Sequence, residues 1–433
     1  MKTRDRAIGM LLGVGIGDAL GRCCEGMDYQ SVKSTFGKVD KYIIQNDWPE
    51  GRKAGVGTDD TSLTLVVAQG LLLSGGKPDM DAQVQAHVGA HQDSFGWGRK
   101  TWEVIRRLRN GVPWQTAGAT NAGNGCAMKI APAALLLHQD VPGAAHYIAD
   151  LCSMTHRTSV AVSAGLAQAF ALAYCLRSGA EDFDPAEFVR VVVSASQKGR
   201  DYFPDTLTED DITERLALCV DYAEWPPERC VAEMENGRGY VFCSLPFSYM
   251  FFLRNPKSIE SLYEVVSAGG DADTNGSMVG ALLGALNGTR VFPDHLVDEL
   301  DAKDRLVDVA NRFCGLFKSR YLVIVQSPDC FARSEGTFVI SEFLLTGWLR
   351  GVAAVGPRNR LTGEVSAGVA GQLADALERM PRTTDDEIYD ALSGNSPGGV
   401  EAFCAFLRGG SFALVDGETT NPEDLEGEKE RVG

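Results

Sequence analysis

Through residue 318, apolar positions recur at helical rather than alternating spacing, in long runs parted by Gly-rich and Asp-rich junctions. That pattern predicts an all-α core with helices over residues 4–20, 61–74, 98–109, 158–178, 209–223, 240–253, 258–268 and 274–287. The last of these carries Gly276, Gly280, Gly284 and Gly288 at four-residue spacing, a bare stripe that admits another backbone at close range. The most apolar stretch, residues 160–176, is interrupted by Ser163, Gly165 and Gln168, so it reads as a buried helix rather than a membrane span.

Beyond Arg320 the pattern changes. Residues 321–325 and 337–340 are β-branched and aromatic runs bounded by Pro328 and Gly336, and they predict two short strands. A Gly- and Pro-bearing stretch follows, with helices expected near residues 370–379 and 385–392, which together make a small mixed α/β unit. The expected organisation is a helical domain over 1–318, a small α/β domain over 319–415 and a tail over 416–433. The tail has seven acidic and two basic residues and almost nothing apolar, so it cannot repay its ordering entropy and is expected to be disordered.

Composition narrows the class. With 44% hydrophobic and 23% charged residues the chain lies in the globular range. The balance of 41 basic against 58 acidic residues leaves a net charge of −17, which repels a phosphate backbone unless cations gather in one patch. No such patch stands out in the sequence, so a nucleic-acid partner is not expected. The 11 cysteines are scattered, without a Cys-x-x-Cys pair, which suits reduced thiols in a cytoplasmic protein. Gly9, Gly13, Gly15 and Asp18 break the apolar run near the start, so neither a signal peptide nor membrane attachment is expected.

Four strings carry chemistry. Thr58-Asp59-Asp60-Thr61-Ser62 stands directly before an apolar helical run. One reading is an N-cap with acidic first-turn residues that complement the helix dipole. The other is a set of oxygen ligands for a hard cation such as Mg²⁺ or Mn²⁺. Gly269-Gly270-Asp271-Ala272-Asp273-Thr274 repeats the ingredients before the Gly-striped helix. If the two clusters meet, their four carboxylates repel one another unless cations sit between them, and four carboxylates with two hydroxyls make a ligand count that fits two metals. Gly15-Ile-Gly-Asp-Ala-Leu-Gly21, followed by Glu25, reads either as a close-packed helix or as a ligand-facing turn. Asn121-Ala-Gly-Asn-Gly-Cys-Ala-Met128 reads either as a surface turn or as a loop whose N–H groups receive phosphate oxygens.

Taken in order, these motifs resemble the ADP-ribosylglycohydrolases. The resemblance runs from Met10 to about Gly288 and includes Gly17–Gly21 with Glu25, Thr58–Asp60, Asn124–Met128 with Ala131-Pro132, Thr155-His156, Gly239–Val241 and Gly269–Thr274. It implies an all-α fold and two divalent ions, Mg²⁺ or Mn²⁺, on Thr58, Asp59, Asp60, Asp271, Asp273 and Thr274. It also implies catalytic roles for Glu25, Asp60 and Asp273, with Glu25 the mobile acidic residue beside the metals. Gly123, Asn124 and Gly125 become the diphosphate loop, His156 part of the adenosine ribose pocket, and Tyr240 a residue of the core or of the ligand's flank. Some relatives that act on ADP-ribosylarginine carry an acidic residue where this chain has Asn121.

The activity so implied is hydrolysis of the bond joining ADP-ribose to a modified protein, with arginine as the first expected attachment. A cation pair there orients the ribose hydroxyls and lowers the pKa of a water. Rival leaving groups are serine, O-acetyl-ADP-ribose or an ADP-ribosylated nucleic acid. A rival of another class is an immunity-type protein that occludes a cognate ADP-ribosyltransferase through residues 319–433.

Overall fold

The computed structural model describes residues 2–44, 54–93, 96–203 and 210–316, and the backbone of four strands between residues 321 and 416. The chain divides into two compact units, Met1–Leu316 and Phe317–Gly433.

The first unit is built from helices. At its centre the N-terminal helix (Lys2–Gly21) lies antiparallel against the helix Ala272–Asn287. Sequence dictates this closeness on both sides. A β-carbon at Gly13 would stand 2.0 Å from the Gly280 carbonyl oxygen, one at Gly17 1.9 Å from that of Gly276, and one at Gly21 2.0 Å from that of Ala272. The four-residue glycine repeat of one helix thus meets that of the other, and backbones touch where side chains normally separate them. The Gly15–Gly21 string is therefore close-packed helix, not a turn.

Around this pair pack the helices Asp59–Leu73, Ser159–Asp182 and Val241–Arg254. Ser159–Asp182 rests on the pair through Gln168, whose amide donates to the Met278 carbonyl at 3.3 Å. On its other side it takes Pro185–Tyr202, where Gly199 leaves no room for a β-carbon against Ser163. Two helices, over residues 3–24 and 159–182, are long and apolar enough to cross a membrane, yet 89% of each apolar window is buried inside the protein.

Several boundaries differ from the sequence expectation. The segment expected as one helix over 209–223 is two, Ile212–Ala217 and Cys219–Ala223, parted at Leu218 (φ −101°, ψ 1°). The helix expected to end at 178 runs on to Asp182 across a break at Gly179, whose φ of 60° only glycine adopts readily. Met80–Gly89, Ala131–His138, Ala144–Thr155, Pro185–Tyr202 and Lys303–Leu316 are further helices.

In the second unit, β1 (Tyr321–Gln326), β2 (Phe338–Ser341), β3 (Gly363–Val365) and β4 (Phe412–Asp416) form one sheet in the order β2-β1-β4-β3. All pairings are antiparallel, with Tyr321 opposite Ser341 and Leu322 opposite Asp416. The two expected strands are β1 and β2. The helices expected near 370–379 and 385–392, and the tail beyond Asp416, lie outside the described residues.

Candidate active site

The site begins with a helix that does not cap itself. Thr58 occupies the N-cap of Asp59–Leu73, but its side chain makes no capping hydrogen bond. Asp18, fully buried on the N-terminal helix, does that work from outside. Its carboxylate accepts from the Thr58 N–H at 2.8 Å, the Thr61 N–H at 2.9 Å and the Thr61 hydroxyl at 2.5 Å. Two of the orphan donors at this helix start, those of Thr58 and Thr61, are thus satisfied, and the Thr58 hydroxyl and the Asp59 and Asp60 carboxylates are released for other use.

The second helix start is aimed by a glycine turn. Gly269 and Gly270 hold φ of 77° and 72°, and a β-carbon at Gly270 would stand 1.7 Å from the Asn236 carbonyl oxygen. Gly270 also exchanges backbone hydrogen bonds with the segment after Glu25: it donates to the Met27 carbonyl at 2.8 Å and accepts from the Gly26 N–H at 2.7 Å. Asp271, at the N-cap of Ala272–Asn287, again makes no capping bond.

The two helix starts converge. The Thr58 hydroxyl lies 3.3 Å from Asp273 Oδ2 and 3.4 Å from Asp60 Oδ2, and the Thr274 hydroxyl donates to Asp60 Oδ2 at 3.2 Å. Carboxylate oxygens of Glu25, Asp271 and Asp273 all lie within 4.8 Å of one another, so Glu25 joins the acidic cluster. Asp59 leans the other way, accepting from the Gly98 N–H at 3.1 Å.

Burial makes this cluster costly. The pKa of Asp59 rises from 3.8 to about 7, chiefly through burial, with Asp18 and Asp271 adding to it. Asp60 and Asp273 are also raised well above the ordinary carboxylate value, by burial and then by the neighbouring carboxylates. Burial also raises Asp271 against the pull of Asn124, and raises Glu25 with help from Asp271. Among the described residues none of Asp59, Asp60, Asp271 and Asp273 is in an ion pair, and Asp60 Oδ1 is buried without a hydrogen-bond partner. An all-oxygen donor set with an orphaned carboxylate oxygen fits hard divalent cations, which supply the missing positive charge.

Beside the acids lies a loop clamped on both flanks. Ala119 pairs with the backbone around His156, its N–H donating to the Thr155 carbonyl at 3.0 Å and its carbonyl accepting from the Arg157 N–H at 2.8 Å. Gly123 pairs with Tyr240, the Asn124 N–H donating to the Gly239 carbonyl and the Val241 N–H to the Ala122 carbonyl, each at 3.0 Å. Gly123, Asn124, Gly125, His156 and Tyr240 are thereby brought together. The Asn124 amide donates to Asp271 Oδ2 at 2.6 Å, which ties the loop to the acidic cluster rather than leaving the side chain for a phosphate. The Tyr240 hydroxyl donates to Asp210, so it is the Tyr240 backbone that serves the loop.

A family model described as ADP-ribosylglycohydrolase matches residues 1–322. The chain belongs to the ADP-ribosylglycohydrolase family. As a member it is an enzyme, a hydrolase of glycosidic bonds, with the all-α fold that the helical spacing implied. It is 25% identical over 320 residues to the ADP-ribosyl-[dinitrogen reductase] glycohydrolase of Rhodospirillum rubrum, covering 72% of this chain and 98% of that one. It is 24% identical over 308 residues to the ADP-ribosylarginine hydrolase Tri1 of Pseudomonas putida, covering 68% and 74%. A solved structure titled "ADP-ribosylglycohydrolase-related protein complex" matches with a TM-score of 0.56 and 27% identity over 73% of this chain and 99% of that one.

In this glycohydrolase three contributors were given no role by the motif strings. Asp18 sits within Gly17–Gly21, and its signal was a lone carboxylate on a helix face otherwise apolar or bare. Gly98 holds Asp59, and Trp97 beside it donates to the Ser62 hydroxyl at 2.9 Å; a Trp-Gly pair opening a helix carries no distinctive pattern. Lys129, one residue past the Asn124–Met128 motif, is buried, and its signal was a lone charge within the otherwise apolar run of residues 126–137.

Proposed function

We propose that this glycohydrolase cleaves the bond joining ADP-ribose to arginine on a modified protein, with two Mg²⁺ or Mn²⁺ ions held by Thr58, Asp59, Asp60, Asp271, Asp273 and Thr274. The observation that carries the reading is the meeting of two helix starts whose first-turn side chains touch across the gap, Thr58 with Asp273 and Thr274 with Asp60, while neither N-cap side chain caps its own helix. Such ions, when bound, orient the hydroxyls of the ribose carrying the scissile bond and lower the pKa of a water.

The chain's own residues supply the rest. Asp60 and Asp273, buried and facing one another across the two hydroxyls, hold the acidic floor in a fixed geometry. Glu25, exposed at the rim and close to Asp271 and Asp273, is placed to accept a proton from the attacking water. Gly123, Asn124 and Gly125, with His156 and Tyr240, form the wall that receives the diphosphate and adenosine end. A guanidinium aglycone is a cation, and an exposed carboxylate at the rim of a protein of net charge −17 attracts it. The name of the Pseudomonas relative points to the same linkage. A cytoplasmic site of action belongs to this proposal, supported by nine described cysteines, none of which is in a disulfide.

The test is release of ADP-ribose from arginine-, serine- and nucleic-acid-linked conjugates in the presence of Mg²⁺. Turnover of the arginine conjugate, lost in a D59A/D273A variant, is the expected result. Preference for another linkage replaces the substrate, and undiminished turnover in the double variant removes the assigned metal ligands.

A further inference from the structure

Lys129 is among the largest fully buried side chains, 1% exposed, and enters no ion pair among the described residues. Burial lowers its pKa, with nearby thiols and Asp59 acting in the opposite direction. Enclosing an ammonium costs several kcal/mol, and a methionine of similar length would fill the space without that cost. The position therefore calls for what a lysine does and an apolar chain does not.

Its Nζ donates to the Thr155 hydroxyl oxygen at 2.8 Å. An ammonium has no acceptor to offer, so the Thr155 hydrogen must point elsewhere. Two acceptors are in range, His156 Nδ1 at 2.9 Å and the Cys152 carbonyl at 3.4 Å. The cation behind the hydroxyl polarises it into a stronger donor, and the nearer acceptor is the imidazole. A neutral ring that accepts at Nδ1 carries its hydrogen on Nε2. That edge lies against the clamped loop: a β-carbon at Gly125 would stand 3.0 Å from His156 Nε2, and one at Gly123 3.4 Å from it.

We propose that Lys129 is a positioning residue which, through the Thr155 hydroxyl, fixes His156 as the Nε2–H tautomer and so presents a hydrogen-bond donor to the ADP-ribose held along Gly123–Gly125. The donor's target rests on the site reading of the preceding section. The chain Lys129–Thr155–His156 does not, because its atoms are in contact without ligand.

Long-range ¹H–¹⁵N spectra of histidine-labelled, ligand-free protein at alkaline pH report the tautomer, with His156 assigned by its loss in H156N. Wild type and T155S are expected to show an unprotonated Nδ1, whereas K129M and T155V shift His156 toward the Nδ1–H form. In calorimetry, K129M and T155V are expected to bind ADP-ribose about tenfold more weakly, about 1.4 kcal/mol, with T155S near wild type. A wild-type Nδ1–H ring, or variants that leave tautomer and affinity unchanged, overturns the proposal. Should K129M fail to fold, the T155V and T155S pair gives the same reading with Lys129 in place. If wild type shows the expected tautomer but does not bind ADP-ribose, the site reading fails while the relay stands.

Discussion

Asp18 decides whether the Thr58–Asp60 turn is a cap or a site. By taking over the capping of Asp59–Leu73 it satisfies the Thr58 and Thr61 donors and leaves the native N-cap hydroxyl to Asp60 and Asp273. D18A therefore strands two backbone donors and a hydroxyl, at about 1–3 kcal/mol each where they stay dry. Urea denaturation should show a loss of that order, and activity should fall with it. A stable, active D18A would mean that the turn does not depend on the external cap. The carboxylates make a second statement at this scale. The folded state holds the Asp59 proton up to about pH 7, whereas the unfolded chain releases it near 3.8, so folding favours the protonated form. Stability of the cation-free protein thus falls as pH rises through that window. Thermal melts in chelator should lose stability between those limits, and Mg²⁺ should restore it at the alkaline end. Melts that ignore both pH and Mg²⁺ contradict the reading of the cluster.

The helix pair Lys2–Gly21 and Ala272–Asn287 carries Asp18 to the N-terminus of its partner, and the glycine contact sets their separation. Half of that contact was legible: four-residue glycine spacing in residues 276–288 announced a close neighbour, but nothing in periodicity identified which one. The matching repeat at Gly9, Gly13, Gly17 and Gly21 was masked by Gly15, which faces leucines rather than the partner backbone. A β-carbon at Gly17 meets backbone at 1.9 Å, so G17A must part the helices and should cost at least about 1–3 kcal/mol together with loss of the site. Gly89 offers the control, since nothing lies within 4 Å of a β-carbon there, and G89A should be neutral or slightly stabilising. Equal melting shifts in the two variants would remove the glycine contact from the account. The helices Met80–Gly89 and Pro185–Tyr202 had readable starts, with Asp79 and Asp184 accepting from the N–H groups that follow. The split at Leu218 had none, because it reflects how the chain packs rather than any Gly or Pro. The loop Ala119–Gly125 was beyond periodicity altogether, because its shape comes from backbone pairing with segments distant in sequence.

At the scale of the molecule, every residue assigned to metal, substrate or catalysis lies in the unit Met1–Leu316, and the family match ends at residue 322. A protein ending at Leu316 should therefore keep ADP-ribose release within a few-fold of the full chain. Loss of turnover in a folded truncation would place part of the site in the second unit. The motif order identified the family and the ingredients of the site, but only the fold shows the first turns of the two helices meeting. Calorimetric titration of the full chain with Mn²⁺ at neutral pH measures directly whether they share cations. The expected result is two bound ions per chain in wild type and none in D60N/D273N. Absence of binding in a folded wild type, or unchanged binding in the double variant, would contradict the account.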